Sequence, residues 1–162
     1  MTRWRRVGIV VVPGLVSLLA LSGCGSTGIS AGPLQESLGQ TFGRLYILQQ
    51  VELGNRKPVM SDLDSVATCT KGTPLSAQSG AGNDWVCDIS YYVSGLSTSV
   101  DAVYNLNVQT DGCYAADSDG PGSVSTPVGQ QEIGIETRMM TAANRKQVPN
   151  PIWLIDGCFD VT

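Results

Sequence analysis

Two runs of alternating residues restrict what this chain can fold into more than any other feature. In the first, Trp85, Cys87, Ile89, Tyr91 and Val93 alternate with positions that include Asp88 and Ser90. In the second, Val100, Ala102, Tyr104, Leu106 and Val108 alternate with positions that include Asp101, Asn105 and Asn107. A period of two sends one side of an extended chain into a core and the other into water. Strands buried on both faces read as continuous apolar runs, so these two belong to an antiparallel sheet with one wet face. Ser94 to Ser99 joins them, and the pair reads as a hairpin.

A different period precedes the hairpin. Leu34, Leu38, Phe42, Leu45, Leu48 and Val51 or Glu52 recur at steps of three and four, which predicts an amphipathic helix over Leu34–Leu53. Pro33 suits its first turn and Gly54 its end. Gly39 and Gly43 each weaken it by up to about 1 kcal/mol relative to alanine. A spacing of four lets another element come close, but the plainer reading is two glycines tolerated on a packed helix. The apolar run Leu45–Leu48 leaves a strand over Arg44–Leu53 as the alternative. Ser61-Asp62-Leu63-Asp64 reads as a helix start capped by Ser61, cut short by the β-branched stretch Val66–Thr70.

Thr73–Asp84 reads as a loop, Asp111-Gly112 as a turn and Cys113–Ala116 as a short strand. Asp117–Pro127 is a Gly/Pro/Ser loop, and Gln131–Thr137 alternates weakly like a strand. Met139–Lys146 reads as a short helix or turn, broken by Pro149 and Pro151, before a final strand at Ile152–Ile155. A helix followed by strands gives an α+β domain, the N-terminal helix packed on an antiparallel sheet. A helix lying across a curved sheet, as in cystatin-like folds, fits that order by architectural analogy.

Five cysteines are present. Cys69, Cys87, Cys113 and Cys158 lie in the region of the sheet, where an even number in an exported domain reads as two disulfides. Of three possible pairings, Cys69–Cys87 and Cys113–Cys158 are favoured. The first closes a short loop and the second ties the last strand back to the sheet. Thr110-Asp111-Gly112-Cys113-Tyr114 echoes Ile155-Asp156-Gly157-Cys158-Phe159, which supports the second pairing if the segments are neighbours. No Cys-x-x-Cys pair and no histidine accompany them, so a metal or redox centre is disfavoured.

The fifth cysteine, Cys24, has a different setting. Arg3, Arg5 and Arg6 begin a segment that turns apolar from Val7 to Leu21, is interrupted by Pro13, Gly14 and Ser17, and ends in Leu21-Ser22-Gly23-Cys24. A membrane-spanning helix needs roughly 20 consecutive apolar residues, and this run is shorter. The four residues in this context resemble the lipobox of bacterial membrane lipoproteins. That resemblance implies cleavage before Cys24, a thioether from its sulfur to diacylglycerol, and an address at the extracytoplasmic face of the cell membrane. It covers the N-terminal segment alone. The expected organisation is a signal peptide over 1–23, a lipidated flexible tether over 24–33, rich in Gly and Ser, and one domain over 34–162.

All 14 acidic residues lie beyond residue 23, against seven basic ones there, a net charge of −7. Such a surface is a poor match for nucleic acid or anionic headgroups. Histidine is absent, which removes the usual general base and every Ser-His or Cys-His arrangement. Asp117-Ser118-Asp119-Gly120, with Asp111 nearby, has the composition of a calcium loop but not the ligand spacing of one. No pair of carboxylates is singled out for hydrolysis. Trp85, Tyr91 and Tyr104 fall on the core face of the hairpin, whereas Tyr92 and Tyr114 are candidates for a binding surface. The expectation is a non-enzymatic lipoprotein domain without cofactor or metal, held to the membrane through lipid on Cys24 and binding another cell-envelope protein. The alternative is a small-ligand carrier or sensor with a pocket between helix and sheet.

Overall fold

A computed structural model describes residues 28–72, 78–93, 99–118, 123–126, 129–132 and 138–161, with backbone alone for 123–126 and 129–132. Cys24, the expected signal segment and the first part of the expected tether lie outside the described residues.

Helix α1 spans Ala31–Glu52. It starts three residues ahead of Leu34, inside the stretch expected to be tether. The residues before it are also held: Ile29 is buried and accepts the Gly80 N–H at 2.9 Å, and Ser30 bridges to Ser79. An apolar side chain within a Gly/Ser stretch is enough to seat that stretch on the core, so the domain begins before residue 34. At the other end Gly54 takes the left-handed conformation, φ +77°. Its N–H bonds the Val51 carbonyl at 3.0 Å and the Asn55 N–H bonds that of Gln50 at 2.9 Å, which satisfies the last carbonyls as in a Schellman motif.

The buried stripe of α1 is Leu34, Leu38, Phe42, Tyr46 and Gln49, flanked by Gly39 and Gly43. Leu48 and Val51, expected on that stripe, are both 47% exposed. The stripe is rotated because the glycines belong to it. A Cβ on Gly39 would sit 3.2 Å from the Ser65 carbonyl oxygen, and one on Gly43 2.6 Å from the Met60 sulfur. The two glycines are therefore a site of close approach, with Ser65 Oγ donating to the Gly39 carbonyl at 3.0 Å. Helix α2 (Met60–Leu63) follows, with Val59 at its N-cap and Ser61 within it, so Ser61 is not the cap.

Five strands then form one antiparallel sheet. β1 (Val66–Lys71), β2 (Gly82–Tyr92), β3 (Ser99–Val108) and β4 (Cys113–Ser118) run in order, and β9 (Leu154–Cys158) closes it beside β4. Between β4 and β9 lie two separate hairpins, β5 (Ser123–Thr126) with β6 (Gly129–Glu132), and β7 (Met139–Thr141) with β8 (Gln147–Pro149). The expected loop from Asp117 therefore starts later, since Asp117 and Ser118 still pair in β4.

The helix or turn expected at Met139–Lys146 is a hairpin. Asn144 Oδ1 takes the Lys146 N–H at 2.9 Å and Arg145 adopts φ +65°, a turn that defeats the helix-forming composition around it. Met140 and Ala142 are buried, and the Ala143 N–H caps the Glu52 carbonyl of α1 at 2.9 Å. The final strand starts at Leu154, two residues after Ile152, because Asn150 and its neighbours form a turn stapled by Gln49 Nε2 to Asn150 Oδ1 at 3.0 Å.

Helix α1 lies against one face of the sheet. Trp85, Cys87, Ile89 and Tyr91 from β2 and Val100, Ala102, Tyr104, Leu106 and Val108 from β3 point toward it, as the alternation predicts. Phe42 stacks among Tyr46, Tyr91 and Tyr104, its ring centroid 4.7 Å from that of Tyr91. Each such side chain contributes about 1.5–3 kcal/mol by leaving water. Both favoured disulfides are present, Cys69–Cys87 and Cys113–Cys158. Each joins residues directly opposed across neighbouring strands, where side chains of an antiparallel pair come closest.

Candidate docking face

The sheet has a second face, and none of the described elements packs across it. The period-two rule that buries Trp85 to Tyr91 turns the intervening residues outward, and register then sets them in rows. One row runs Thr70, Val86, Asn105, Asp117, Leu154 across all five strands. The next runs Thr68, Asp88, Val103, and a third Val66, Ser90, Asp101. Tyr92 stands opposite Ser99, and Ala115 opposite Asp156.

Among the described residues, half of the exposed large apolar side chains sit on this face: Val66, Val86, Tyr92, Val103 and Leu154. Leu154 is 52% and Tyr92 43% exposed. Near the β3–β4–β9 junction the face sinks into a depression of about 270 Å³. Asn83, Asn105, Asn107 and Asp117 supply its polar wall, and Ala115 and Leu154 its apolar part. Ala115 creates the dip, because its neighbours in the row, Asn107 and Asp156, are longer.

The sequence-predicted site residues distribute unevenly around this face. Tyr92 is on it. Tyr114 is not: it is 2% exposed, beneath α1, with its hydroxyl 3.2 Å from Ser37 Oγ and 3.5 Å from Thr41 Oγ1. The reason is parity, since β4 pairs with β3 so that Tyr114, Ala116 and Ser118 face the helix. Its ring lies over Gly157, the register partner, where a side chain would collide with the phenol. Asp156-Gly157 is thus strand, and only Asp111-Gly112 is a turn, with Asp111 Oδ1 accepting the Cys113 N–H at 3.0 Å. The two echoing segments do lie side by side. Cys69 and Cys87 are buried in the core, whereas Cys113 and Cys158 bridge on the outward side.

Elsewhere the chemistry is sparse. Among the described residues no cluster of His, Cys, Asp and Glu can hold a metal ion. Asp117 and Asp111 of the calcium-loop composition sit in β4 and in the preceding turn, while Asp119 and Gly120 lie outside the described residues. The space between α1 and the sheet, where a carrier would need room, is filled by Phe42, Tyr46, Trp85, Tyr91 and Tyr104. Burial raises the Tyr46 hydroxyl to about 12, and raises those of Tyr91 and Tyr104 as well. These hydroxyls stay protonated at neutral pH and are unsuited to proton transfer there. A shallow groove of about 460 Å³ runs between α1 and the C-terminal segment, lined by Glu36, Ser37, Arg44 and Asp160 among others. Ser37 Oγ at its base already donates to the Cys158 carbonyl at 3.1 Å.

The apolar residues of the open face that the sequence reading passed over are Val66, Val86, Val103 and Leu154. A signal for two of them was present: Val86 and Val103 occupy wet positions of the alternating runs, where polar residues are the rule. Compared with protein families, with curated proteins and with solved structures, the chain finds no match.

Proposed function

We propose that this chain is an extracytoplasmic lipoprotein, anchored by lipid on Cys24, whose domain does no chemistry and docks another protein of the cell envelope through the open face of its sheet. One observation carries the docking part. A rigid, disulfide-braced surface presents five large apolar side chains to water in register with carboxylates and amides. Large apolar side chains at the wet positions of a sheet, set among polar groups, supply the mixed contact surface that protein interfaces use. The layer order, one helix and then an antiparallel sheet against which it packs, supports a cystatin-like architecture.

The anchoring part rests on Leu21-Ser22-Gly23-Cys24 and the segment before it. Two acyl chains suffice for stable membrane attachment, at about 0.8 kcal/mol per buried methylene. The test is the mass of the N-terminal peptide from the native host, with membrane fractionation of Cys24→Ala beside the wild type. A diacylglyceryl-modified Cys24 and a released variant are the expected results. An unmodified thiol at Cys24, or a Cys24→Ala protein still held in the membrane, would overturn the anchoring.

A further inference from the structure

Four carboxylates point outward from the open face: Asp88, Asp101, Asp117 and Asp156. Their register neighbours are all neutral. Asp88 stands between Thr68 and Val103, Asp101 beside Ser90, Asp117 between Asn105 and Leu154, and Asp156 beside Ala115. No lysine or arginine occupies an outward position of these five strands. The basic residues beyond the signal segment lie elsewhere. Arg44 is on α1, Arg56 and Lys57 follow it, and Arg145 and Lys146 form the β7–β8 turn. Lys71 Nζ pairs with Asp84 at 3.7 Å, and the Arg138 guanidinium lies 5.9 Å from the centre of the Trp153 ring. Apart from the Lys71–Asp84 pair at the β1–β2 end, the outward positions of these strands therefore carry carboxylates without a cation beside them among the described residues.

We infer that the partner is a cationic protein segment, which lays apolar side chains over Val86 and Val103 and inserts a lysine or arginine into the depression beside Asp117. This rests on the open face being the docking surface. The depression has the matching chemistry. Ala115 and Leu154 receive the aliphatic stem, while the Asp117 carboxylate and the side-chain carbonyls of Asn105 and Asn107 accept from the charged head. Interleaved valines argue for a protein over a small polycation, since a point charge gains nothing from them. Anionic membranes and nucleic acids are repelled. A second copy would set like charge against like, which disfavours self-association through this face. Residues 119–137 of this chain carry Asp119, Glu132 and Glu136 and no lysine or arginine, so they do not complement the face either.

The test is site-specific photo-crosslinking of the full-length, membrane-held protein in its native host. A photoreactive residue replaces Val103 at the centre of the face or, as a reference, the exposed Gln40 on α1. Crosslinked peptides are sequenced by mass spectrometry. The expected result is capture from position 103 of a segment bearing lysine or arginine. Yield should fall about tenfold in Asp117→Asn, the loss of one charge-assisted hydrogen bond, and further in Asp117→Lys. Asp156→Asn should weaken capture too, and the off-face variant Asp62→Asn should not. Unchanged circular dichroism of each variant separates lost contact from lost fold. Capture from position 103 of a segment without cations, or capture indifferent to Asp117, overturns the inference and leaves the docking face standing. Capture from position 40 alone, or none from position 103, overturns both. Capture of a second copy, or of residues 119–137, overturns the cationic partner.

Discussion

Two tyrosines in the core should respond in opposite directions to the same substitution. Tyr91 and Tyr104 are both fully buried, and phenylalanine keeps either ring in place. The Tyr104 hydroxyl donates to the Ile152 carbonyl at 2.6 Å. The Tyr91 hydroxyl has no hydrogen-bond partner among the described residues. Tyr104→Phe deletes a buried hydrogen bond and leaves the carbonyl of Ile152 without that donor, which costs about 2 kcal/mol. Tyr91→Phe deletes a polar group that was desolvated without compensation, itself a penalty of about 1–3 kcal/mol. The oxygen-sized void it leaves loses some dispersion contact, so the net gain is about 1 kcal/mol. The two variants should thus differ by about 3 kcal/mol. With a urea slope of about 2 kcal/mol/M, their midpoints lie roughly 1.5 M apart on either side of the wild type. Urea unfolding of the oxidised protein, followed by tryptophan fluorescence and circular dichroism, measures this directly. Tyr91→Phe losing as much stability as Tyr104→Phe would refute the reasoning, because it would mean that the Tyr91 hydroxyl is satisfied.

Alkaline pH should unfold the domain through the same core. Burial raises Tyr46 to about 12 and shifts Tyr91 and Tyr104 upward too, whereas the unfolded chain ionises near 10. Below about pH 10 their contribution is complete. Above it the unfolded state sheds protons that the native state keeps, so stability falls by about 4 kcal/mol per pH unit for three such groups. A melting temperature that stays level from pH 9 to 12 would contradict this. Reduction should be ordered by exposure: a water-soluble phosphine opens Cys113–Cys158, where Cys158 is exposed, before the buried Cys69–Cys87. Alkylation and mass mapping during a timed reduction read the order, and loss of the buried bridge first would be the contrary result.

The part of this fold legible in the sequence is the part encoded by local period. Trp85 to Tyr91 and Val100 to Val108 are buried as their alternation requires, and the favoured disulfides follow from that sheet. What sequence reading misplaced was set by tertiary contact. The stripe of α1 turns toward Gly39 and Gly43 because Ser65 and Met60 come up against them, which no helical period reveals. Tyr114 looked available for binding because its strand was too short to assign a parity, and pairing with β3 sends it under the helix. Met139–Lys146 has helix-forming residues but no apolar stripe, and the Asn144 turn decides it. The open face was half legible: Tyr92 marked it, and Val86 and Val103 marked it too, but Leu154 enters it only when β9 is seen beside β4.

The positions of the two bridges have a mechanical corollary. An antiparallel sheet frays from its margins, where a strand has one neighbour to let go of. Here β1 is stitched to β2 and β4 to β9, so each marginal strand is fastened to the strand inside it. The unstitched seams are those on either side of β3, whose inward residues are all buried. Peeling from the rim is closed off, and separation must begin at the seams beside β3. Under the proposed anchoring and docking, a head pulled between lipid and partner would yield last along its borders.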